Sequence, residues 1–502
     1  MNEQPKSKWY WRALRWGLLG LLVLATLAGV LITEENWRGR HDWEAFRHAA
    51  EAHGDHMDLA YAIPPAVPDD QNFFAAPVFA HILAADSPGM NFNFDRGDSK
   101  ILPKRGGNWQ QGRLTDLTEW QTYFRAFNST PEGKTNGFPV AAQPQTPAAD
   151  VLLALILFNP AIEELRQAAR RPQSRLPLDY DQGFDAVQGA LPWFAVVKRC
   201  DQVLELRTVA ELANGQSQVA LDDLKLSLHV ADGLRDQPFL ISQLVRIAMV
   251  YYAVQSIYEG LAQHRWNDAQ LADLDSVLTN ENFLADYMVA MRGERTCAFA
   301  SLESMRLTRQ QKSFAEVSDG APVYVTNTLY LTPSCYFYRS EIAFARMYQQ
   351  FILPLADPTN RTVSLAAYRA GQQNFHEWTN HISFYSALAL MTFPSICQSV
   401  ERFALTQTGV DLARVGCALE RYRLAHGEYP PTLDVLTPQY LEELPHDVIT
   451  GQPLHYRRTD DGRFILYSVG WNEKDDGGTV FLTKSGSWDR EQGDWVWQYP
   501  PK

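Results

Sequence analysis

The strongest pattern along the chain is an unbroken run of apolar and small residues over 17–32, interrupted only by Thr26. Trp9, Tyr10, Trp11 and Trp16 precede it and Trp37 follows. A helix that crosses the hydrocarbon of a bilayer needs about 20 residues, with about 17 as the lower end. Flanking tryptophans extend such a run into the two interfacial belts. The pattern predicts a membrane helix over 17–33. Lys6, Lys8, Arg12 and Arg15 lie before the run, and Glu34 and Glu35 lie after it. The positive-inside rule then leaves residues 1–16 in the cytoplasm and everything after Thr33 outside, as a single pass through the inner (cytoplasmic) membrane. The rival reading is a cleaved signal peptide with its cleavage site near 26–28, although the run is long for one.

Past the anchor the period shifts to that of amphipathic helices. Residues 43–53 read as a short helix. Residues 62–73 carry Pro64, Pro65 and Pro68 and read as an extended connection, because proline fixes φ and disfavours helix before it. The Gly-, Asn- and Asp-rich stretch 86–112 reads as irregular loop, and 131–147 as a linker. Between these, 117–127 is a helix with Trp120, Tyr123, Phe124 and Phe127 on one side. Thr146-Pro147 opens another helix, continuing to about Arg170. Apolar positions three and four apart mark further helices near 193–212, 216–234, 239–264, 269–278, 281–309, 339–353 and 365–377; Leu221, Leu224, Leu228 and Ala231 share one face. The apolar stretch 151–158 is far too short to span a membrane and reads as buried core. No repeat period appears, so a regular solenoid is not expected. The end of the chain changes character: a helix over 399–425, then candidate strands at 454–458, 463–468 and 479–483, with Asp460-Asp461-Gly462 as a hairpin turn.

A chain of 502 residues has room for two or three domains. Its net charge of −13 argues against nucleic acid, which needs a basic stripe to release counterions. The five cysteines form no CxxC pair, so a zinc ribbon or a thioredoxin-type site is not expected. Buried free thiols are the plain reading; a bridge such as Cys297 to Cys335 is the alternative in an oxidising compartment. Arg199 beside Cys200 and Arg295 near Cys297 are the only cues for an activated thiol. His376-Glu377 and His381 are spaced by five rather than four, so they do not share a zincin helix face. His48, Asp55, His53, His56 and Asp58 cluster in sequence but lack the spacing of a closed tetrahedral site. GxSxG, P-loop and GxGxxG motifs are absent from the sequence.

Two resemblances go further. Residues 67–73 and 226–248, including Asp232-Gly233-Leu234-Arg235-Asp236-Gln237-Pro238 and Arg246, resemble membrane-anchored proteins of planctomycete and verrucomicrobial type. That kinship spans most of the chain and carries no assigned activity. The stretch 417–478, with Ala418-Leu419-Glu420-Arg421-Tyr422, Gly427-Glu428-Tyr429-Pro430, Leu444-Pro445-His446-Asp447 and Leu466-Tyr467-Ser468-Val469-Gly470, resembles the globular part of the type II secretion major pseudopilin. The resemblance implies a helix packed on a small antiparallel sheet and a calcium-binding loop. Asp475 and Asp476 would be its carboxylate ligands, with Asn472 beside them and Ser468 and its neighbours supplying carbonyls; hard cations favour such oxygen-rich loops. The chain departs from the family in placing this stretch at its far end, in lacking a prepilin cleavage motif, and in having Val448-Ile449 where the family has Pro-Trp.

The expected architecture is therefore mainly α: a transmembrane helix, an irregular segment over 34–145, a helical domain over 146–397 and a pseudopilin-like α+β module over 398–502. The expected function is a membrane-anchored extracytoplasmic protein with a non-enzymatic assembly, binding or structural role. Its partners would be the membrane and envelope or secretion-system proteins, with calcium as the one implied ion. The alternative is an envelope hydrolase with its site in the helical domain.

Overall fold

In a computed structural model the protein is described over residues 7–84, 106–311, 332–380 and 385–498. The helices are α1 Ser7–Ala52, α2 Pro77–Ala84, α3 Leu117–Asn128, α4 Gly133–Asn136, α5 Pro147–Leu155, α6 Asn159–Ala168, α7 Asp185–Ala213, α8 Ser217–Asp232, α9 Leu240–Ala262, α10 Asp268–Leu278, α11 Phe283–Gln311, α12 Ser334–Met347, α13 Leu365–Asn380 and α14 Ala387–His426. The strands are β1 Ala356–Asp357, β2 Thr362–Val363, β3 His455–Arg458, β4 Phe464–Ser468, β5 Val480–Leu482, β6 Trp488–Gly493 and β7 Trp495–Trp497. The protein is mainly helical, with small antiparallel sheets near its C-terminus and one long apolar helix at its N-terminus.

The separate helix expected over 43–53 is the second half of α1. Proline is absent from 33–52, and Glu34–Arg38 (2.7 Å) and Arg40–Glu44 (2.8 Å) pair one turn apart, so the helix runs on. Its two halves bury differently. The apolar window is exposed throughout, whereas Gly39, Trp43 and Ala50 form a stripe packed on α11 and α12. A Cβ at Gly39 would sit 3.1 Å from the Cα of Cys335, which is why the two helices approach so closely there.

The proline-rich connection is pinned by one side chain. Asn72 accepts from the backbone N–H groups of Phe74 (3.2 Å) and Arg175 (2.9 Å) and donates to the Arg175 carbonyl (2.8 Å). In the helical body, Thr146 caps α5 with Pro147 at its first turn, as its sequence predicts, but the helix expected to reach Arg170 breaks at 156–158 before Asn159-Pro160. α9 is also long and apolar enough to cross a membrane, yet 56% of its apolar window is buried inside the body against α7, α8, α11 and α14.

α14 is the axis of the structure. Its middle, from Ser399 to Glu420, is buried on nearly every side, the signature of a helix surrounded by protein. α9, α10 and α11 pack on it from the helical body, and β4 and β7 pack on it from the sheet. The boundary drawn at 397/398 thus falls inside one continuous helix. Two glycines admit two indoles: a Cβ at Gly409 would lie 3.2 Å from Trp109, and one at Gly416 would lie 3.3 Å from Leu261 and 3.5 Å from Trp497. The indoles themselves lie 5.5 Å apart.

The main sheet has the order β3-β4-β7, all antiparallel, with His455 opposite Tyr467 and Leu466 opposite Trp497. The turn falls at 459–463 with Gly462 at φ 78, as expected. The third expected strand pairs elsewhere: β5 makes a separate hairpin with β6, and β7 takes the place beside β4. On β7 the Val496 N–H donates to the Gln110 side chain (2.9 Å) and the Gln498 side chain donates to the Gln110 carbonyl (3.0 Å). A distant 3-10 turn therefore completes that part of the sheet edge.

With α14 shared, the body and the sheet are expected to unfold as one transition in calorimetry of the full chain. Trp497→Ala should lower its stability by about 3–5 kcal/mol, because a buried indole leaves a cavity between α9, α14 and Trp109. Two separable transitions, only one of them moved by the substitution, would refute this.

Candidate functional site

The loop 469–479 follows β4 and returns to the hairpin of β5 and β6. It docks on α13 through the Arg369–Glu473 ion pair and the edge contact of Trp471 with Tyr368 (5.3 Å). Of the residues expected to hold calcium, the structure pairs two, Asn472 and Asp476, while Asp475 bonds elsewhere. Asp475 accepts from the Tyr467 hydroxyl (2.9 Å) and the Gly477 N–H (2.9 Å) and lies 3.5 Å from His455. The Gly477 N–H and the Tyr467 hydroxyl hold its carboxyl below the usual carboxylate range. Asn472 donates to Asp476 (2.9 Å). Ser468 belongs to a different cluster: its hydroxyl is buried and donates to Asp447 (2.9 Å).

Two carboxylates that sequence reasoning did not assign to the site organise this region. Asp494 is fully buried and accepts from the backbone N–H groups of Asp476 (3.2 Å), Gly478 (2.7 Å) and Thr479 (3.3 Å). Successive N–H groups turned inward form an anion-holding nest, here filled by a side chain of the protein itself. Burial pushes the Asp494 carboxyl up despite these donors. Asp447 accepts from the Ile449 and Val469 N–H groups and from Ser468, joining the connector to the end of β4. The available signal for Asp494 was its place between Gly493, at φ 75, and the buried run Trp495-Val496-Trp497.

The other motif residues are also accounted for by internal bonds. Glu420, near the end of α14, accepts from Arg423 (2.8 and 2.7 Å), His264 (2.8 Å) and the Tyr429 hydroxyl (2.9 Å). Burial raises its carboxyl, but these donors outweigh burial and hold it at about 2. Arg246 is fully buried and pairs with Asp232 (2.8 Å), Asp286 (2.6 Å) and Glu281, while Arg235 joins Asp232 and Glu281. A cleft of about 500 Å³ lies beside this network, lined by Pro64, Pro65, Gln173, His229, Asp232 and Arg235. Burial lowers the His229 imidazole, with Asp232 opposing, and its Nε2 is a buried nitrogen without a hydrogen-bond partner. A second cleft of about 450 Å³, between α1, α11 and α12, is lined by Arg40, Trp43, Glu303, Arg306, Tyr338 and Glu341. Burial first, then Glu303, pushes Glu341 up to about 8 against the opposing pull of Arg306 and Arg47.

The remaining sequence candidates resolve into structural roles. The five cysteines are buried free thiols, so Cys297 and Cys335 form no bridge. Burial pushes Cys297 and Cys397 up to about 12 and raises Cys200 and Cys417 further, the reverse of nucleophile activation. In the histidine-rich stretch Asp55 takes both arms of Arg295 (2.9 and 2.6 Å), His53 contacts the Ala49 carbonyl (2.7 Å), His48 faces Glu51 (3.9 Å), His56 stacks on Tyr61 (3.9 Å) and Asp58 caps Ala60 (3.0 Å). His381 and the side chains of His376 and Glu377 lie outside the described residues. Among the described residues no three His, Cys, Asp or Glu side chains gather as a metal-holding group. Compared with known protein families, curated proteins and solved structures, the chain finds no match.

Two pH effects of opposite sign follow. Glu420 has a depressed folded pKa, so the stability it contributes is complete above the ordinary Glu value and is lost as pH falls from about 4 toward 2. Glu420→Gln should cost roughly 3 kcal/mol at neutral pH, since it leaves Arg423 half-paired, and should flatten that acid limb. Glu341 has a raised folded pKa, so the folded state holds its proton more tightly. Stability should fall as pH rises from about 4.5 to about 8, and Glu341→Gln should reduce that slope, the remainder coming from Glu294, Glu211 and Asp411, which burial also raises. Melting temperatures across pH 2–9 check both, and unchanged profiles in the two variants would contradict them.

Proposed function

We propose that the chain is an inner-membrane protein with its N-terminus in the cytoplasm and its bulk on the extracytoplasmic side, serving a non-enzymatic assembly, binding or structural role. The observation that carries this reading is α1. Its apolar window has mean hydropathy 2.2 and is wholly uncovered by protein, while the same helix continues into the body. Roughly 20 residues separate Trp16 from Trp37, about 30 Å of helix, which matches the thickness of bilayer hydrocarbon. The body itself is dominated by fixed internal networks at Arg246, Glu420 and Asp494, which favour a rigid binding surface over acid/base chemistry.

A secretion-related role for the end of the chain is supported by the order of elements, a long helix followed by a connector and antiparallel strands, and by the bonds of Glu420 to Tyr429 and of Asp447 to Ser468 within the motifs that carry the pseudopilin resemblance. Calcium at Asp475, Asp476 and Asn472 belongs to this reading. Ser468 would join only through its carbonyl oxygen, since its hydroxyl is spent on Asp447. An envelope hydrolase is the second reading, favoured by the cleft that brings His229 and Asp232 together.

The full chain should stay in the membrane pellet after alkaline carbonate washing, and a reporter fused after Lys502 should be active only outside the cytoplasm. Release into the supernatant, or a cytoplasmic reporter, would overturn the anchor or its orientation. If the loop holds calcium, the ion must raise the melting temperature, because it binds only the folded loop. Asp475→Ala with Asp476→Ala should abolish the shift. An unshifted melt would leave Asp494 as the loop's organiser without an ion.

A further inference from the structure

The place where α1 meets the body is set by distances along one helix. The apolar run ends at Ile32, and the first body contacts fall within the next turns: Glu35 with Arg339, the Asn36 side chain accepting from the Cys335 N–H (2.8 Å), and Gly39 against the Cys335 backbone. The start of α12 therefore grips α1 on both sides of the level of Trp37, the residue that marks the outer headgroup belt. With a rise of about 1.5 Å per residue, Glu35 lies about 3 Å closer to the hydrocarbon than Trp37 does. A helix that runs unbroken from Ser7 to Ala52 leaves no linker to lift the body away.

The side chains gathered at this level suit an interface. Trp37 is 66% exposed and stacks on His41 (5.5 Å). Tyr336 and Tyr385 lie 6.1 Å apart, and Arg339 reaches both Glu35 and the Tyr385 hydroxyl (3.3 Å). The end of α11 arrives beside them, with Arg306 over the Tyr338 ring (5.1 Å) and with Met305 and Leu307 exposed by 46% and 38%. Tryptophan, tyrosine and arginine concentrate at the headgroup level because each pairs an apolar body with a polar tip.

We propose that this end of the body, formed by residues 34–40 of α1, the start of α12, Tyr385 and the end of α11, is a lipid-contact face that rests in the headgroup layer of the bilayer. The proposal deepens the reading of α1 as a membrane helix and depends on it. The face fixes the angle and height of the body, so the cleft lined by Arg40, Trp43 and Glu341 opens next to the membrane surface and the C-terminal end of α14 points away from it.

The test uses the full chain in phosphatidylcholine–phosphatidylglycerol vesicles, with an environment-sensitive fluorophore on a cysteine introduced at one exposed position at a time: Leu21→Cys in the anchor, Met305→Cys at the proposed face, Leu424→Cys near the far end of α14, and Phe481→Cys on the β5–β6 hairpin. Nitroxide placed on the lipid headgroup or deep in the acyl chain acts as the quencher. The expected result is deep quenching at 21, headgroup quenching at 305 and none at 424 or 481. Loss of quenching at 21 would overturn the membrane helix itself. Quenching at 21 with none at 305 would leave the anchor standing and overturn the lipid-contact face. Equal headgroup quenching at 305, 424 and 481 would overturn the fixed orientation.

Discussion

The constraint on which the rest of the structure depends is the fit of two indoles against the glycines of one helix. α14 lies at the centre because Gly409 and Gly416 let Trp109 and Trp497 come to its backbone. Trp109 arrives from a short turn far upstream, and Trp497 from the last strand. Through that stack the region before α3, the helical body and the sheet share one core, and Gln110 fastens the same turn to the edge of β7. Apolar burial is worth roughly 25 cal/mol per square ångström, so two large buried rings held between these elements contribute substantially to the assembly. The end of the chain is thus a part of the body rather than an appendage on a tether.

Charge is handled the same way. Arg246, Glu420, Asp447 and Asp494 are buried and held by several partners each. Removing one member of such a set leaves an uncompensated buried group, so these side chains act to fix geometry. Glu341 differs: it sits in a cleft with opposing charges and holds its proton to about 8. His229 differs too, as a neutral ring at the edge of a cleft whose carboxylate neighbour is already paired with arginine.

Much of the architecture was legible. The apolar run, the cap at Thr146 and the turn at Gly462 all announce themselves through local chemistry, and the structure places each accordingly. Two of the boundaries that were missed share a cause. α7 and α14 begin earlier than the pattern suggests, and each extra stretch contains or adjoins a proline, Pro192 or Pro394, a residue read as a helix boundary. β6 and β7 were not legible, because Trp488–Gly493 has no alternation and the place of β7 is set by Leu466 and Gln110, which lie far away in sequence. The candidate site was half legible. Asp475, Asp476 and Asn472 do share a loop, but the carboxylate that shapes it, Asp494, comes from the other side of a hairpin.

The proposed anchoring requires α1 to pass from bilayer to body without a hinge. The most direct measurement is pulsed electron spin resonance on the full chain in lipid nanodiscs, with spin labels at Leu21→Cys and Leu424→Cys. One narrow distance distribution, unchanged between nanodiscs and detergent, is the predicted result. A broad distribution, or one that collapses to a new distance in lipid, would mean that the membrane helix and the body move independently, and would contradict the account.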